Sequence, residues 1–254
     1  MTENHIENGF WLWDKKNGFP PDSITYPAQF SGQTKINIAC TQRGDLTPTQ
    51  QKKLIKEWAD FLPSCKNIEL LWFTTTTPQT FFDSACLLDN LVGLNIKNSN
   101  IKSLDNLAKL KNLKYLRIGD SSKIESIEPL LNLTNLEVLV IENFKNISDF
   151  SLLKVLTNLK FLTIEGGMYK KQAVDSFQFL ADLKSLIYLS TAMINSTSKS
   201  VDVLFNLKNL QTINWAFDLT KPEMERLKQE LPKLKYLPHR HVENNLNKIK
   251  SLFG

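Results

Sequence analysis

The sequence has 254 residues, and its hydrophobic share of 42% and charged share of 22% are those of an ordinary folded protein, which excludes a disordered chain. The net charge is +5, and the 31 basic and 26 acidic residues are interspersed without a run of five Lys or Arg residues, so the basic-tail signature of nucleic-acid binding is missing. The amino terminus is polar, unlike a secretory signal. No apolar run approaches the roughly 18 residues that cross a bilayer. We therefore expect a cytoplasmic protein without a membrane partner.

The first 34 residues have no periodic pattern. Turn and breaker signals stand at Asn17-Gly18 and Pro20-Pro21. A strongly apolar cluster precedes them and consists of Phe10, Trp11, Leu12 and Trp13. We interpret these aromatic side chains as a cover for an exposed end of the core. A functional aromatic patch is the alternative.

A strand and a helix are predicted next. Residues 35–40 alternate polar and apolar side chains, with Ile36 and Ile38 on one face, which is strand spacing. Thr47 and Gln50 form a capping box that opens a helix, and Pro63 ends it. The apolar stripe of this helix consists of Leu54, Ile55, Trp58, Phe61 and Leu62. Residues 1–66 are therefore predicted to be an amino-terminal capping region with one strand and one helix.

A repeat of leucines then runs through the chain. In each of three clear units a Leu is followed three residues later by Leu and two residues later by Ile, as in Leu136, Leu139 and Ile141. The predicted strand starts are Ile68, Leu91, Leu113, Leu136, Leu159, Leu186, Leu210 and Leu234, and Asn precedes most of them. A period in the twenties is typical of a solenoid. A second apolar series at three-residue spacing, Ile101, Leu104, Leu107 and Leu110, indicates 3₁₀-like turns between the strands.

This pattern resembles the leucine-rich repeat family, and it is most similar to the short repeats of bacterial internalins. The resemblance covers residues 67–237. It implies an α/β fold, a leucine-rich repeat solenoid with a curved parallel β-sheet on its concave side and 3₁₀, irregular or α-helical segments on its convex side. The family's usual Asn after each strand is replaced by Ser99, Ser121 and Phe144, which predicts irregular hydrogen bonding in the loops. Internalins also have a signal peptide and a wall anchor, and we expect neither in this protein.

The last repeat units are predicted to contain α-helices. Thr220 and Glu223 form a second capping box, followed by a helical stripe of Met224, Leu227 and Leu231 that Pro232 closes. Residues 238–254 are predicted to form a tail with a short helix that covers the last strand edge. The apolar positions of this tail helix are Leu246, Ile249, Leu252 and Phe253.

No motif predicts catalysis, a metal or a cofactor. The sequence has three histidines, His5, His239 and His241. His239 and His241 could place two imidazoles on one strand face, but no Cys or carboxylate cluster near these two in the sequence completes a ligand set. Gly166-Gly167 lacks the Lys-Ser/Thr of a phosphate loop. The three cysteines form neither an even set nor a CxxC motif, so we expect small buried hydrophobic residues in a reducing compartment. They are Cys40, Cys65 and Cys86.

The residues between the core leucines should face outward on the concave sheet surface. The first outward column is Leu70, Gly93, Tyr115, Val138, Phe161, Tyr188, Thr212 and Tyr236. The second column is Trp72, Asn95, Arg117, Val140, Thr163, Ser190 and Asn214, and the third is Thr74, Lys97, Gly119, Glu142, Glu165, Ala192 and Ala216. The first column contains a contiguous apolar row, and exposed rows of this kind usually mark partner sites. The alternative is that the amino-terminal segment folds back and covers this face.

Charged residues and an inserted loop add detail to the predicted partner-binding site. Glu142 and Glu165 lie side by side opposite Arg117 and Lys97, and such mixed charge suits a protein better than a polyanion. The unit of 27 residues has an extra loop, residues 166–172, and insertions in repeats commonly lie at binding rims. A tolerated surface insertion is the alternative.

The sequence therefore predicts a monomeric, non-catalytic scaffold for protein–protein interaction that binds a partner protein through its concave face. An inhibitor or immunity-type protein against a bacterial toxin is the most specific form of this hypothesis, and an enzyme or a nucleic-acid-binding module is the alternative. The predicted partner-binding residues are Trp72, Tyr115, Arg117, Val138, Val140, Glu142, Phe161, Glu165 and Tyr188, with Tyr169, Lys170 and Lys171 in the rim loop.

Overall fold

The computed structural model describes residues 15–235, and within them one parallel sheet of nine strands, ordered as in the chain, runs through the molecule. Its nine strands are β1 (Ser23–Ile24), β2 (Lys35–Ile38), β3 (Leu70–Phe73), β4 (Gly93–Ile96), β5 (Tyr115–Ile118), β6 (Val138–Glu142), β7 (Phe161–Glu165), β9 (Tyr188–Ala192) and β11 (Thr212–Asn214). Two short strands, β8 (Gln172–Ala173) and β10 (Ile194–Asn195), pair separately. The predicted leucine-rich repeat solenoid is confirmed.

The repeat register places equivalent leucines beside one another. Leu116 pairs with Leu139, and Leu139 pairs with Leu162, across β5, β6 and β7. All three are fully buried, because alternate side chains of each strand point to the same side of the sheet and meet the convex turns there. The repeat strands begin two residues after their predicted starts, as in β6, where the buried Leu136 belongs to the preceding turn.

The convex side consists mainly of 3₁₀ helices, as the three-residue spacing predicts. They are Asp105–Lys109, Glu128–Asn132, Ser151–Val155, Gln178–Asp182 and Asp202–Asn206. The first repeat differs, because it contains a short α-helix, α2 (Gln79–Ala85), that the leucine pattern does not predict. Phe81 and Phe82 bury one face of α2, and the Ser84 hydroxyl donates to the Ala59 carbonyl at 2.9 Å in the preceding helix.

The amino-terminal cap contains the predicted helix, α1 (Pro48–Phe61). Its N-cap is Thr47, whose side chain accepts from the Gln50 amide, and its buried face contains Leu54 and Trp58. The cap has two strands where one was predicted, because Ser23–Ile24 adds in parallel to β2. This pair of residues lies near Pro21 and has no alternating pattern, so the sequence alone does not indicate a strand there.

Helix α3 (Lys221–Glu230) lies beside the last repeat, and Thr220 and Glu223 form its predicted capping box. Leu227 and Leu231 are buried. Four predictions lie wholly or largely outside the described residues: the aromatic cluster at 10–13, the last repeat strand, predicted to start at Leu234, from residue 236 onward, the tail helix at 243–253, and the three histidines.

Asparagines that precede the strands form a ladder on one side of the repeats. The side-chain amide of Asn135 donates to the Lys111 carbonyl at 2.9 Å, and Asn158 donates to the Thr134 carbonyl at 2.8 Å. Further members of this ladder are Asn90, Asn112 and Asn209. Each asparagine therefore bonds the equivalent turn of the preceding repeat. The ladder stands before the strand rather than after it, where the family usually has its asparagines.

Candidate functional site

The strand register places the predicted outward columns side by side. Tyr115, Val138 and Phe161 are successive partners across β5, β6 and β7, and Phe161 continues to Tyr188 on β9. The Phe161 and Tyr188 rings stack with centroids 5.6 Å apart. Arg117, Val140 and Thr163 form the second column in the same way, and Glu142 pairs with Glu165 in the third.

The row in the first column is buried, contrary to the expectation of an exposed surface. Tyr115 is 4% exposed, Val138 is 2% exposed and Phe161 is 8% exposed. In the second column Trp72 is fully buried. We call Trp72, Tyr115, Val138 and Phe161 the concave row. A second apolar cluster, separate from the main core, contains this row together with Phe19 and Leu70.

Phe19 reaches the concave row from the amino-terminal region. Its ring meets the Trp72 ring edge-on with centroids 6.0 Å apart, and the Lys35 ammonium lies 4.7 Å from the centre of the Phe19 ring. The Asn37 side chain on β2 donates to the Pro21 carbonyl at 3.1 Å. Residues 19–21 are thus fixed onto the concave side of the sheet. In the described part of the amino-terminal segment, the chain therefore follows the alternative given in the sequence analysis, in which this segment folds back over the concave face.

A half-buried polar strip borders the concave row. Arg117 pairs with Glu142 at 3.3 Å, and the Glu165 carboxylate accepts from the Ser190 hydroxyl at 2.9 Å. Burial raises the pKa of Glu165, and the neighbouring Glu142 charge adds to this shift, whereas the Ser190 hydrogen bond and Arg117 oppose it. Within the strip both signs of charge are present and are largely paired.

The rim loop, residues 166–172, leaves the sheet directly after Glu165. Met168 is 82% exposed and Tyr169 is 91% exposed, and Lys170 and Lys171 are exposed beside them. The loop is closed at its base, because the Gly166 amide donates to the Ala192 carbonyl at 3.0 Å and the Gln172 amide donates to the Met193 carbonyl at 2.8 Å.

Gln172 anchors the rim loop in the repeats. Its side chain is 2% exposed, and its Nε2 atom donates to the Phe144 carbonyl at 3.2 Å and the Ile147 carbonyl at 2.6 Å. Phe144 stands where the family usually has its loop asparagine, so the Gln172 amide supplies the hydrogen bonds there. At the two earlier positions, the Ser99 and Ser121 hydroxyls are 2.7 Å apart and bond each other.

Three residues of the concave side and its rim were not among the predicted site residues: Phe19, Met168 and Met193. Phe19 lies in a segment without periodicity, and its only signal was the run of turn residues around it. Met168 and Met193 are exposed apolar residues at the rim, and the unit of 27 residues was the signal that could have pointed to them. Tyr169, Lys170 and Lys171 lie together as predicted, separate from the buried concave row.

Among residues 15–235, no group of three or more His, Cys, Asp or Glu residues could hold a metal ion. Cys40, Cys65 and Cys86 are buried free thiols, and burial raises the pKa of Cys40 to about 12, so its reactive thiolate is disfavoured. A surface depression near Tyr26 contains the carboxylates of Glu57 and Asp60, and each of these pairs with a lysine four residues earlier on α1.

Between residues 15 and 235, no helix combines the length and the apolar character needed to cross a membrane.

Comparison with solved structures identifies the fold. Internalin C2 from Listeria monocytogenes is 23% identical, with a TM-score of 0.54 over 70% of this chain and 73% of that chain. An internalin (inlF) from the same organism is 20% identical, with a TM-score of 0.57 over 86% of this chain and 64% of that chain. The plant peptide hormone receptor RGFR1, in complex with RGF2, is 16% identical, with a TM-score of 0.51 over 71% of this chain and 29% of that chain.

No protein-family model matches the sequence, and no curated protein matches it significantly. At these identities the likeness to internalins and to the receptor establishes the leucine-rich repeat fold.

Proposed function

We propose that this chain is a non-catalytic scaffold for protein–protein interaction, and that its partner binds at the rim loop and the adjoining polar strip. The observation that carries the proposal is the exposure of Tyr169, at 91%, on a loop whose two ends are hydrogen-bonded to Ala192 and Met193 of the next repeat. Tyr is enriched in binding hot spots, and a loop fixed at its base loses little conformational freedom on binding.

The rim loop and the polar strip are continuous along the chain. Glu165 is the last residue of β7 and Gly166 is the first residue of the loop, so an aromatic and methionine-containing tip lies beside paired charges. Lys170 and Lys171 add positive charge at the tip, and the strip contains the Arg117–Glu142 ion pair beside the Glu165 carboxylate. Complementary mixed charge favours a protein partner, because a polyanion would favour one sign throughout.

The fold neighbours fit this proposal. The plant receptor was solved in complex with RGF2, so that neighbour binds another molecule. The more specific hypothesis of an inhibitor or immunity-type protein against a bacterial toxin stays a prediction, as do the cytoplasmic location and the monomeric state. Partner binding by the concave row also stays a prediction, and it would require the row to be uncovered first.

The experiment is partner capture from a lysate of the source organism with three forms of the immobilised chain. The first is the unaltered chain, the second combines Met168→Ser and Tyr169→Ala, and the third is Val155→Ser. Val155 is 43% exposed on a convex 3₁₀ helix, which makes it a matched apolar control away from the rim. We expect the rim variant alone to lose a captured protein, with an unchanged melting temperature. The same proteins on all three forms would refute the rim site.

A further inference from the structure

The concave row requires a cover larger than Phe19. Adjacent strands lie about 4.8 Å apart, so the row from β3 to β7 spans roughly 19 Å. Phe19 contacts the row at Trp72, which is at one end, whereas Val138 and Phe161 are 2% and 8% exposed toward the other end. Asn95, beside Trp72 in the second column, is also buried at 4% exposure. On an open sheet face the outer sides of these side chains would contact water.

The path of the chain shows where such a cover can come from. The Pro21 carbonyl is held by Asn37 on β2, and Phe19 packs on Trp72 of β3. Followed toward its amino terminus, the chain therefore crosses the concave side from β2 onto β3, in the direction of β5 and β7. Residues 1–14 precede the described part of the chain.

We propose that the occupant of the concave row is the chain's own aromatic segment, residues 10–13. This segment reads Phe-Trp-Leu-Trp, and its four large apolar side chains match a row made of a Trp, a Tyr, a Val and a Phe. Trp13 lies six residues before Phe19, so at about 3.3 Å per residue it can lie up to roughly 20 Å away, which is the length of the row. The row is thus a groove for an aromatic peptide, and in this chain the groove is filled in cis.

This inference goes beyond the proposed function, because no rim-loop residue takes part in it. An external ligand of the groove must therefore be an apolar aromatic segment that competes with residues 10–13. The partner could bind away from the rim loop while residues 10–13 occupy the groove, and it could bind at the rim loop while the groove has another occupant. The two proposals are therefore tested independently.

The first test is a cross-link in the full-length chain. A photoreactive benzoylphenylalanine replaces Trp11, and the products are separated by size and mapped by mass spectrometry. We expect intrachain cross-links to peptides that contain β5, β6 or β7. Cross-links between two chains would assign the groove to a second copy, and cross-links confined to other surfaces would leave the row with a different cover. Either outcome overturns the proposal.

The second test measures how accessible the row is. Val138→Cys introduces a thiol into the row of the full-length chain, and its labelling by a maleimide is followed with and without replacement of residues 10–13 by serine. A matched control replaces Glu3, Asn4, Glu7 and Asn8 by serine. We expect the aromatic replacement alone to raise the labelling rate by at least about tenfold, because a covered thiol reacts only after local opening.

The three native cysteines distinguish uncovering from unfolding. Cys40, Cys65 and Cys86 are buried in the main core, so they react only when the repeats themselves open. The proposal requires that they remain unlabelled while the thiol from Val138→Cys reacts. An unchanged rate at position 138 overturns the proposal. If the native cysteines become labelled as well, the segment is part of the folding core rather than the occupant of a groove, and the proposal also fails.

Discussion

Ser190 donates a hydrogen bond of 2.9 Å to the Glu165 carboxylate across neighbouring strands, at the boundary between the buried concave row and the exposed rim loop. The Asn214 amide in turn donates to the Ser190 hydroxyl at 3.0 Å. This short chain of hydrogen bonds opposes the effect of burial, which raises the pKa of Glu165. Glu165 is therefore the residue through which pH should act on this face.

The first prediction concerns the pH dependence of stability. A carboxyl group with a raised pKa in the folded state binds protons there more tightly than in the unfolded state, so the free energy of unfolding falls as pH rises through the interval between the two pKa values. For Glu165 this interval begins at the ordinary pKa of a glutamate and extends upward. Glu165→Gln should remove this part of the decline, as measured by denaturant titration at several pH values. Glu125→Gln, an exposed glutamate on the convex side, is the control. Identical pH profiles for the two variants would contradict the assignment.

The second prediction concerns the leucine core. Leu139 is fully buried between Leu116 and Leu162, so Leu139→Ala should lower the free energy of unfolding by roughly 2–5 kcal/mol. Val140→Ala on the same strand is the control, because Val140 is only half-buried on the opposite face. Chemical denaturation of both variants measures the difference. Equal losses would mean that the repeat register is wrong.

The third prediction concerns the base of the rim loop. A Cβ atom at Gly166 would overlap the Met193 carbonyl oxygen and would lie 2.5 Å from the Lys170 carbonyl oxygen, and backbone atoms cannot move aside without a shift of the chain. Gly166→Ala should therefore displace the loop and cost about 1–3 kcal/mol. The displacement is measured by the rate of hydrogen exchange at the Gln172 amide, which should increase. Gly44→Ala is the matched control, because a Cβ atom there meets nothing within 4 Å. Slow exchange at Gln172 in Gly166→Ala would refute the described loop geometry.

The repeat register could be predicted from the sequence, because the alternation of buried leucines and outward residues repeats without a shift from Leu70 to Asn214. The burial of the concave row could not. Tyr115 and Phe161 have the same spacing whether water or another segment lies on them, and the covering residue Phe19 comes from a stretch without periodicity. Helix α2 was missed for a related reason, since Phe81 and Phe82 become a buried helical face only when α1 lies beside them.

The fourth prediction concerns the asparagine ladder, which the sequence displayed without revealing its role. The Asn135 amide donates to the Lys111 carbonyl at 2.9 Å, so Asn135→Ala should cost about 0.5–1.5 kcal/mol, the usual net contribution of one such hydrogen bond. Asn100→Ala, an exposed asparagine in a loop, is the control and should have a smaller effect. Thermal unfolding of both variants tests the difference. If Asn135→Ala were as stable as the unaltered chain, the ladder would have no role in holding the repeats together.

The last prediction separates a covered concave row from an open one. If the row were open, removing the Phe161 ring would leave the core untouched and the stability unchanged. Phe161 is instead 8% exposed and stacks on Tyr188 at 5.6 Å, so Phe161→Ala should lower the free energy of unfolding by roughly 3 kcal/mol, near the lower end for a buried Phe. Thr163, two residues later on the same strand, is half-buried in the second column, and Thr163→Ala should have little effect. Denaturant titration of the two variants gives the comparison. A stable Phe161→Ala variant would mean that water reaches the row in solution, and the concave face would then again be a candidate for an open binding surface.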